Sequence, residues 1–232
     1  MIPWLHPTDP FPPLDKALKY PNGLLAAGGD LSVPRLLDAY RRGIFPWFGE
    51  GEPILWWSPN PRMVLFPEEL RVSRSLAKRL RRRDYEVRAD TSFRAVMEGC
   101  AAPRGDQPGT WITPLMLDAY TTLHAAGYAH SVETWIAGEL VGGLYGVALG
   151  RVFYGESMFT RVPDASKVAF VHLVRELARR GFGLIDCQMR TAHLASLGGR
   201  EISRPNFTSR LRELLNYPDV PAPWRLTDDP SG

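Results

Sequence analysis

The sequence predicts a mixed α/β (α+β) protein with one small and one large domain, and three observations carry that expectation. Residues 152–159 and 183–188 are short apolar runs, rich in β-branched and aromatic side chains and bounded by glycine, as buried strands are. Between them, Val168, Val171, Val174 and Leu177 recur at helical spacing behind Asp164, a candidate cap, and Gly181 closes the pattern, giving a β-α-β order. Upstream, residues 130–135 and 140–148 flank Ala137-Gly138 and read as a hairpin.

The other elements follow in order. Residues 1–14 hold five prolines and predict an extended segment. Pro21-Asn22-Gly23 and Gly28-Gly29-Asp30 are turn signals, and Ser32 with Pro34 starts a helix over 35–42 that Gly43 ends. Phe45, Trp47, Phe48, Trp56 and Trp57 fall among prolines, either as a small aromatic core or as flat faces on which a base could stack. A boundary near Pro61 divides a domain of residues 1–62 from one of residues 63–232, which opens on a strand at 63–66. Ser73 starts a helix carrying Arg74, Lys78, Arg81, Arg82 and Arg83, with no acid from Val72 to Arg83. Like charges at that spacing repel one another, so the face is either simply solvated or meets phosphates. A short helix is expected over 93–100, a Pro/Gly-rich loop over 101–109, and a helix from Thr113-Pro114 to Gly127. Gly142-Gly143 inside a strand predicts a bulge or a close backbone approach. The last helix is expected over 206–216, before a proline-rich tail that should fray.

Composition bounds the function. The 232 residues are 44% hydrophobic, enough for a real core, and the net charge of +3 leaves any nucleic-acid contact to the local basic patch. Cys100 and Cys187 form no CxxC and read as reduced thiols in a cytoplasmic protein. No apolar run reaches the roughly 20 residues that span a bilayer, so no membrane partner is expected. The five histidines have no metal-ligand spacing, and none is assigned a metal. There is no Walker loop, and 142–146 lacks the GxGxxG spacing of a dinucleotide site. Gly155-Glu156-Ser157 continues into Met158-Phe159 without the second glycine of a nucleophile elbow, so Ser157 is not expected to act as a nucleophile.

The remaining puzzle is that each of the two strands contains a carboxylate, Glu156 or Asp186. A buried carboxylate is held by backbone amides or an arginine, or is put to work as a base. Period-two alternation puts Asp186 and Gln188 on one face and Cys187 on the other, so a carboxylate and an amide would share one space. Leu144, Phe153, Met158, Phe170 and Ile185 around them are either core or the wall of a pocket for an aliphatic or benzyl side chain.

These residues resemble one family, the leucyl/phenylalanyl-tRNA–protein transferases. The resemblance rests on Ala39-Tyr40-Arg41-Arg42-Gly43-Ile44-Phe45-Pro46-Trp47-Phe48, Leu55-Trp56-Trp57-Ser58-Pro59, Gly109-Thr110-Trp111, Gly155-Glu156-Ser157-Met158-Phe159, Leu184-Ile185-Asp186-Cys187-Gln188 and other short motifs in the same order, across residues 11–213. It implies a small N-terminal domain and a C-terminal acetyltransferase-like (GNAT) domain with a mixed, mainly antiparallel sheet. It also implies a cytoplasmic monomer that moves leucine, phenylalanine or, less readily, methionine from aminoacyl-tRNA to the N-terminal Arg or Lys of proteins, marking them for the N-end rule pathway. No cofactor is implied. By the same resemblance Asp186 is the general base polarising Gln188, and Glu156 holds the substrate's amino group or the acceptor. Tyr40, Trp47, Trp111 and Tyr120 surround the terminal adenosine and acceptor peptide, and Leu144, Phe153, Met158, Phe170 and Ile185 shape the side-chain pocket. Leu144 departs from the methionine common in the family. A tRNA donor would give Arg74, Lys78, Arg81, Arg82 and Arg83 phosphates to meet. The competing readings are a CoA-dependent N-acetyltransferase, against which residues 161–166 lack a glycine-rich pyrophosphate loop, and a non-catalytic RNA-binding module.

Overall fold

The computed structural model describes residues 2–82, 84–103 and 111–226. Arg83, the 104–110 part of the expected loop and residues 227–232 of the tail lie outside the described residues.

The N-terminal segment forms a four-stranded sheet. Its strands are β1 (Trp4–Leu5), β2 (Leu24–Gly28), β3 (Phe45–Pro46) and β4 (Leu55–Trp57), in the order β1-β2-β4-β3, with α1 (Val33–Arg41) between β2 and β3. Trp56 is fully buried, and its indole N–H donates to the Gly28 carbonyl at 2.8 Å. Gly43, at φ +75°, ends the helix run where the sequence placed the stop, and a Cβ there would lie 2.7 Å from the Phe207 ring.

Seven strands build the central sheet: β5 (Arg62–Leu65), β6 (Glu86–Ala89), β7 (Ala129–Ile136), β8 (Glu139–Leu149), β9 (Val152–Thr160), β10 (Leu184–Gln188) and β11 (Arg200–Ile202). Their spatial order is β11-β5-β10-β9-β8-β7-β6, and β9–β10 is its one parallel pair. The sheet is therefore mixed and mainly antiparallel, as expected. Alternation along β8 sends Leu144 and Ala148 to one apolar cluster and Tyr145, Val147 and Leu149 to the other, so the sheet is buried on both faces. One face carries α5 (Ala165–Arg179), with α2 (Arg74–Arg81) beyond it. The other face carries α3 (Phe93–Ala101) and α4 (Pro114–Ala125), and its core is continuous with that of the N-terminal sheet. Two further helices, α6 (Ala192–Ser196) and α7 (Arg204–Leu214), flank β11.

Most local signals work as the residues predict. Thr113 caps α4 by accepting the Met116 N–H, Gly127 follows that helix at φ +86°, and Ala137-Gly138 turns the hairpin at φ +50° and +81°. At Gly142 a Cβ would stand 2.5 Å from that of Ala165, so the missing side chain lets the start of α5 lie on β8. Three expectations need correction. Asp164 does not cap α5: its backbone is left-handed at φ +66°, and its carboxylate pairs with Lys167 at 2.7 Å. The last helix runs two residues ahead of the expected span, because Ser203 accepts the Asn206 N–H and takes the cap. The tail does not fray over its described part. Trp224 is buried, stacks on His130 at 3.9 Å between centroids, and donates its backbone N–H to Asp90 at 2.7 Å.

Candidate active site

The site forms where two parallel strands part. β9 and β10 pair only at Leu184–Val152, Ile185–Phe153 and Asp186–Tyr154, after which β9 runs on for six more residues without β10 beside it. Both strands also carry an extra residue there. In β9 the register with β8 passes from Gly155 to Ser157, leaving Glu156 unpaired. In β10 the register with β5 passes from Asp186 to Gln188, leaving Cys187 unpaired, and Gln188 adopts φ +62°. Such bulges bend a strand and re-aim side chains. Phe153 and Met158, five positions apart, consequently line the same cavity, which strict alternation would forbid.

That cavity has a volume of about 460 Å³ and is largely apolar. Leu144, Phe153, Met158, Phe170 and Ile185 all line it, as expected, and so do Trp47 and Trp111. Leu173, Cys187, Thr191, His193 and Leu194 also belong to the wall. None of these five was singled out as a pocket residue from sequence. Cys187 could have been found from period two with Ile185, whereas α6 brings Thr191, His193 and Leu194 in from a segment with no apolar periodicity.

A polar edge adjoins the apolar cavity. Glu156 Oε1 accepts from the Tyr40 hydroxyl at 2.7 Å and from the Gln188 side-chain amide at 3.0 Å. Tyr40 also meets the hydroxyl of Tyr120. Burial pushes the Glu156 carboxyl up to about 8, against the pull of the Tyr40 bond. Burial first, and then the Glu156 charge, raise both tyrosines well above the usual phenol range, so each keeps its proton as a donor.

Asp186 is placed differently. It points to the opposite side of β10 from Ile185 and Cys187 and is clamped by Arg62, whose Nε and Nη2 donate to Oδ1 and Oδ2 at 2.8 and 2.6 Å. Arg62 also reaches the Gly43 carbonyl and lies against the Phe45 and Phe207 rings, both at 4.7 Å. The resemblance implies that Asp186 polarises Gln188, but the contact between the two runs to the Gln188 backbone. Asp186 Oδ1 accepts the Gln188 backbone N–H at 2.9 Å, while the amide side chain turns to Glu156. The bulge at Cys187 breaks the alternation on which the shared face rested.

Two family models match the chain. One, described as leucyl/phenylalanyl-tRNA protein transferase, covers residues 64–212, and a second, described as the N-terminal domain of the same transferase, covers residues 29–60. The chain belongs to the leucyl/phenylalanyl-tRNA protein transferase family. A protein of Nitrosospira multiformis named leucyl/phenylalanyl-tRNA–protein transferase is 66% identical to this family member over 224 residues, 97% of each chain. One of the same name from Chromobacterium violaceum is 64% identical over 97% of this chain and 96% of its own. Among solved structures, a GCN5-related N-acetyltransferase from Kribbella flavida matches with a TM-score of 0.38 at 15% identity, over 72% of this chain and 60% of its own. L-PGS from Bacillus licheniformis matches with a TM-score of 0.40 at 11% identity, over 68% and 51%.

For this transferase family member, the described residues expected at the site, apart from Asp186, separate into three groups. The five pocket residues, Trp47, Trp111, Glu156 and Gln188 come together at the cavity. Tyr40 and Tyr120 are buried outside the lining and meet it through Glu156 and, for Tyr120, through the Tyr145 ring. Arg74, Lys78, Arg81 and Arg82 are exposed on α2, away from the cavity, where Lys78 and Arg82 border a separate groove with Val162, Pro163 and Asp164. Arg79 of the same helix pairs with Asp84, the acid just past the basic run.

Proposed function

We propose that this protein transfers leucine or phenylalanine, and less readily methionine, from aminoacyl-tRNA to the N-terminal Arg or Lys of acceptor proteins, as a cytoplasmic monomer. In this reading residues 1–62 are a small N-terminal domain and residues 63–232 the catalytic domain. The observation that carries it is an apolar cavity, sized for one aliphatic or benzyl side chain with room at its mouth, directly beside a carboxylate–amide pair. No helix among the described residues is long and apolar enough to cross a membrane.

The chemistry suits such a site. An aminoacyl ester is already activated, so alignment of a neutral amine against the carbonyl supplies much of the rate, and one proton must be managed. Leu144, Phe153, Met158, Phe170 and Ile185 seat the side chain and so hold the ester at the cavity mouth. Trp47 and Trp111 offer flat faces to the terminal adenosine. Asp186, its charge committed to Arg62, acts by fixing the backbone turn that aims Gln188 at Glu156. Arg74, Lys78, Arg81 and Arg82 meet tRNA phosphates and supply affinity without reading sequence. A CoA-dependent acetyltransfer is less well supported, because the Asp164 carboxylate stands at the head of α5, where a pyrophosphate would need free amides.

The deciding experiment offers labelled Leu-tRNA with two peptides that differ only in an N-terminal Arg or Ala, beside a parallel reaction with acetyl-CoA. Transfer to the Arg peptide alone is the expected result. Label retained on the tRNA while acetyl-CoA is consumed would overturn the reading.

A further inference from the structure

The Tyr40 hydroxyl has one proton and two neighbours. It gives that proton to Glu156 Oε1 at 2.7 Å, so in its contact with Tyr120 it is Tyr120 that donates. The result is a directional chain from Tyr120 to Tyr40 to Glu156, linking α4 and α1 to β9. Gln188 Nε2 donates to the same Oε1 from β10 at 3.0 Å. Oε2 is shielded from solvent and has no hydrogen-bond partner among the described residues, although Glu156 lines the cavity. A carboxylate with one oxygen held twice and the other left bare is set to accept one more hydrogen. A buried acceptor atom without a partner is costly and calls for an explanation.

We infer that Glu156 carries the proton of the aminoacyl transfer at Oε2, and that Tyr40 and Tyr120 are positioning residues for that carboxylate. The inference rests on the transfer reading above and assigns a proton route within it. The lone pair of the neutral acceptor amine attacks the ester carbonyl, forming the C–N bond. A proton leaves the nitrogen for Oε2. As the C–O bond to the ribose breaks, the proton passes to the departing ribose oxygen, which leaves as a hydroxyl, and Glu156 is again an anion. Nothing else is consumed.

The surroundings agree with that role. Tyr40 and Tyr120 face Glu156 from α1 and α4, Gln188 and the Asp186–Arg62 pair from β10 and β5, and Tyr145, Cys187 and His193 line the same cavity. Burial raises the Glu156 carboxyl to about 8; the Tyr40 bond lowers it, the Asp186 charge raises it, and Arg62 and Tyr120 lower it. A carrier in that range can both take and return a proton near neutral pH. Burial pushes the Cys187 thiol far up, so it stays protonated and offers no competing base. Burial and then Lys167 hold His193 below its usual value, so it adds no cation beside Glu156 near neutral pH.

The test is the pH dependence of kcat at saturating Leu-tRNA and Arg-peptide for the unchanged protein and for Tyr40→Phe, Tyr120→Phe and Glu156→Gln. The carboxylate is the working form, so kcat rises as pH passes its pKa. Tyr40→Phe removes a donor to that form and moves the inflection to higher pH. Tyr120→Phe weakens the Tyr40 donor and moves it by less in the same direction. The acceptor's α-amine also titrates at about 7.7–8.0, but its value belongs to the peptide and ignores both tyrosines. Glu156→Gln is expected to lower kcat by about 100-fold or more. An inflection that stays in place in both tyrosine variants, or near-full turnover by Glu156→Gln, overturns the proposal alone. If the unchanged protein makes no transfer at any pH, the functional reading falls and this proposal falls with it.

Discussion

Arg62 and Asp186 meet across neighbouring antiparallel strands through hydrogen bonds of 2.8 and 2.6 Å, and each side chain is only 1% exposed. A pair this deep gains less than its Coulomb attraction, because both ions lost their hydration, but neither can be left alone without a large cost. Arg62→Met should therefore destabilise the protein by about 3–5 kcal/mol, measured by urea unfolding. Arg62→Met with Asp186→Leu should recover a large part of that loss. A double variant no more stable than the single one would show that the cost lies in packing against Phe45 and Phe207 and not in the stranded charge.

Side-chain selection should depend on Cys187, which shares the cavity face with Ile185. Cys187→Leu adds bulk to the wall and should lower phenylalanine transfer more than leucine transfer. A single methylene in such a pocket changes kcat/KM by about 10- to 200-fold. Competition between labelled Leu-tRNA and Phe-tRNA reads the ratio directly. An unchanged ratio would place the aminoacyl side chain elsewhere.

Much of this architecture was legible because local signals and packing agree. The hairpin, the helix from Thr113-Pro114 and the β-α-β unit around α5 each have a turn, cap or stop residue where the apolar pattern changes period. The five pocket residues were legible for the same reason. The site's polar geometry was not. Period two assumes an unbroken ladder, and both strands break it at the functional position, Glu156 in β9 and Cys187 in β10. Nothing in an isolated strand announces an extra residue, so period two puts Gln188 on the face of Asp186, whereas the bulge turns it into the cavity beside Cys187. Arg62, which settles what Asp186 does, lies 124 residues away and carries no signal beyond being a charge at the head of an apolar run. The described part of the tail was misread because prolines predict extension but say nothing about whether an extended segment is anchored.

The basic face of α2 should show itself in salt dependence. If Arg74, Lys78, Arg81 and Arg82 meet tRNA phosphates, replacing them together with Gln weakens binding and lowers the slope of log K against log salt. The expected change is about 0.7–0.9 for each phosphate that is no longer neutralised. Binding isotherms at several ionic strengths supply the slope. An unaltered slope would return this face to simple solvation.

The last prediction concerns the C-terminal strap. Asp219 accepts the Gly150 backbone N–H at 2.6 Å, Arg151 donates to the Pro218 carbonyl at 2.8 Å, and Arg180 donates to the Arg225 carbonyl at 2.8 Å. Trp224 then sits between the His130 ring at 3.9 Å and the Arg180 guanidinium at 5.0 Å, within 6.0 Å of Phe153, a wall residue of the cavity. The strap thus closes the core behind the pocket. Trp224→Ala should cost about 3–5 kcal/mol in urea unfolding and also impair transfer, because Phe153 loses the ring that backs it. Trp224→Phe keeps an aromatic face toward His130 and should restore most of the stability. A Trp224→Ala variant with unchanged stability would mean that the rest of the strap holds this side of the core without its anchor.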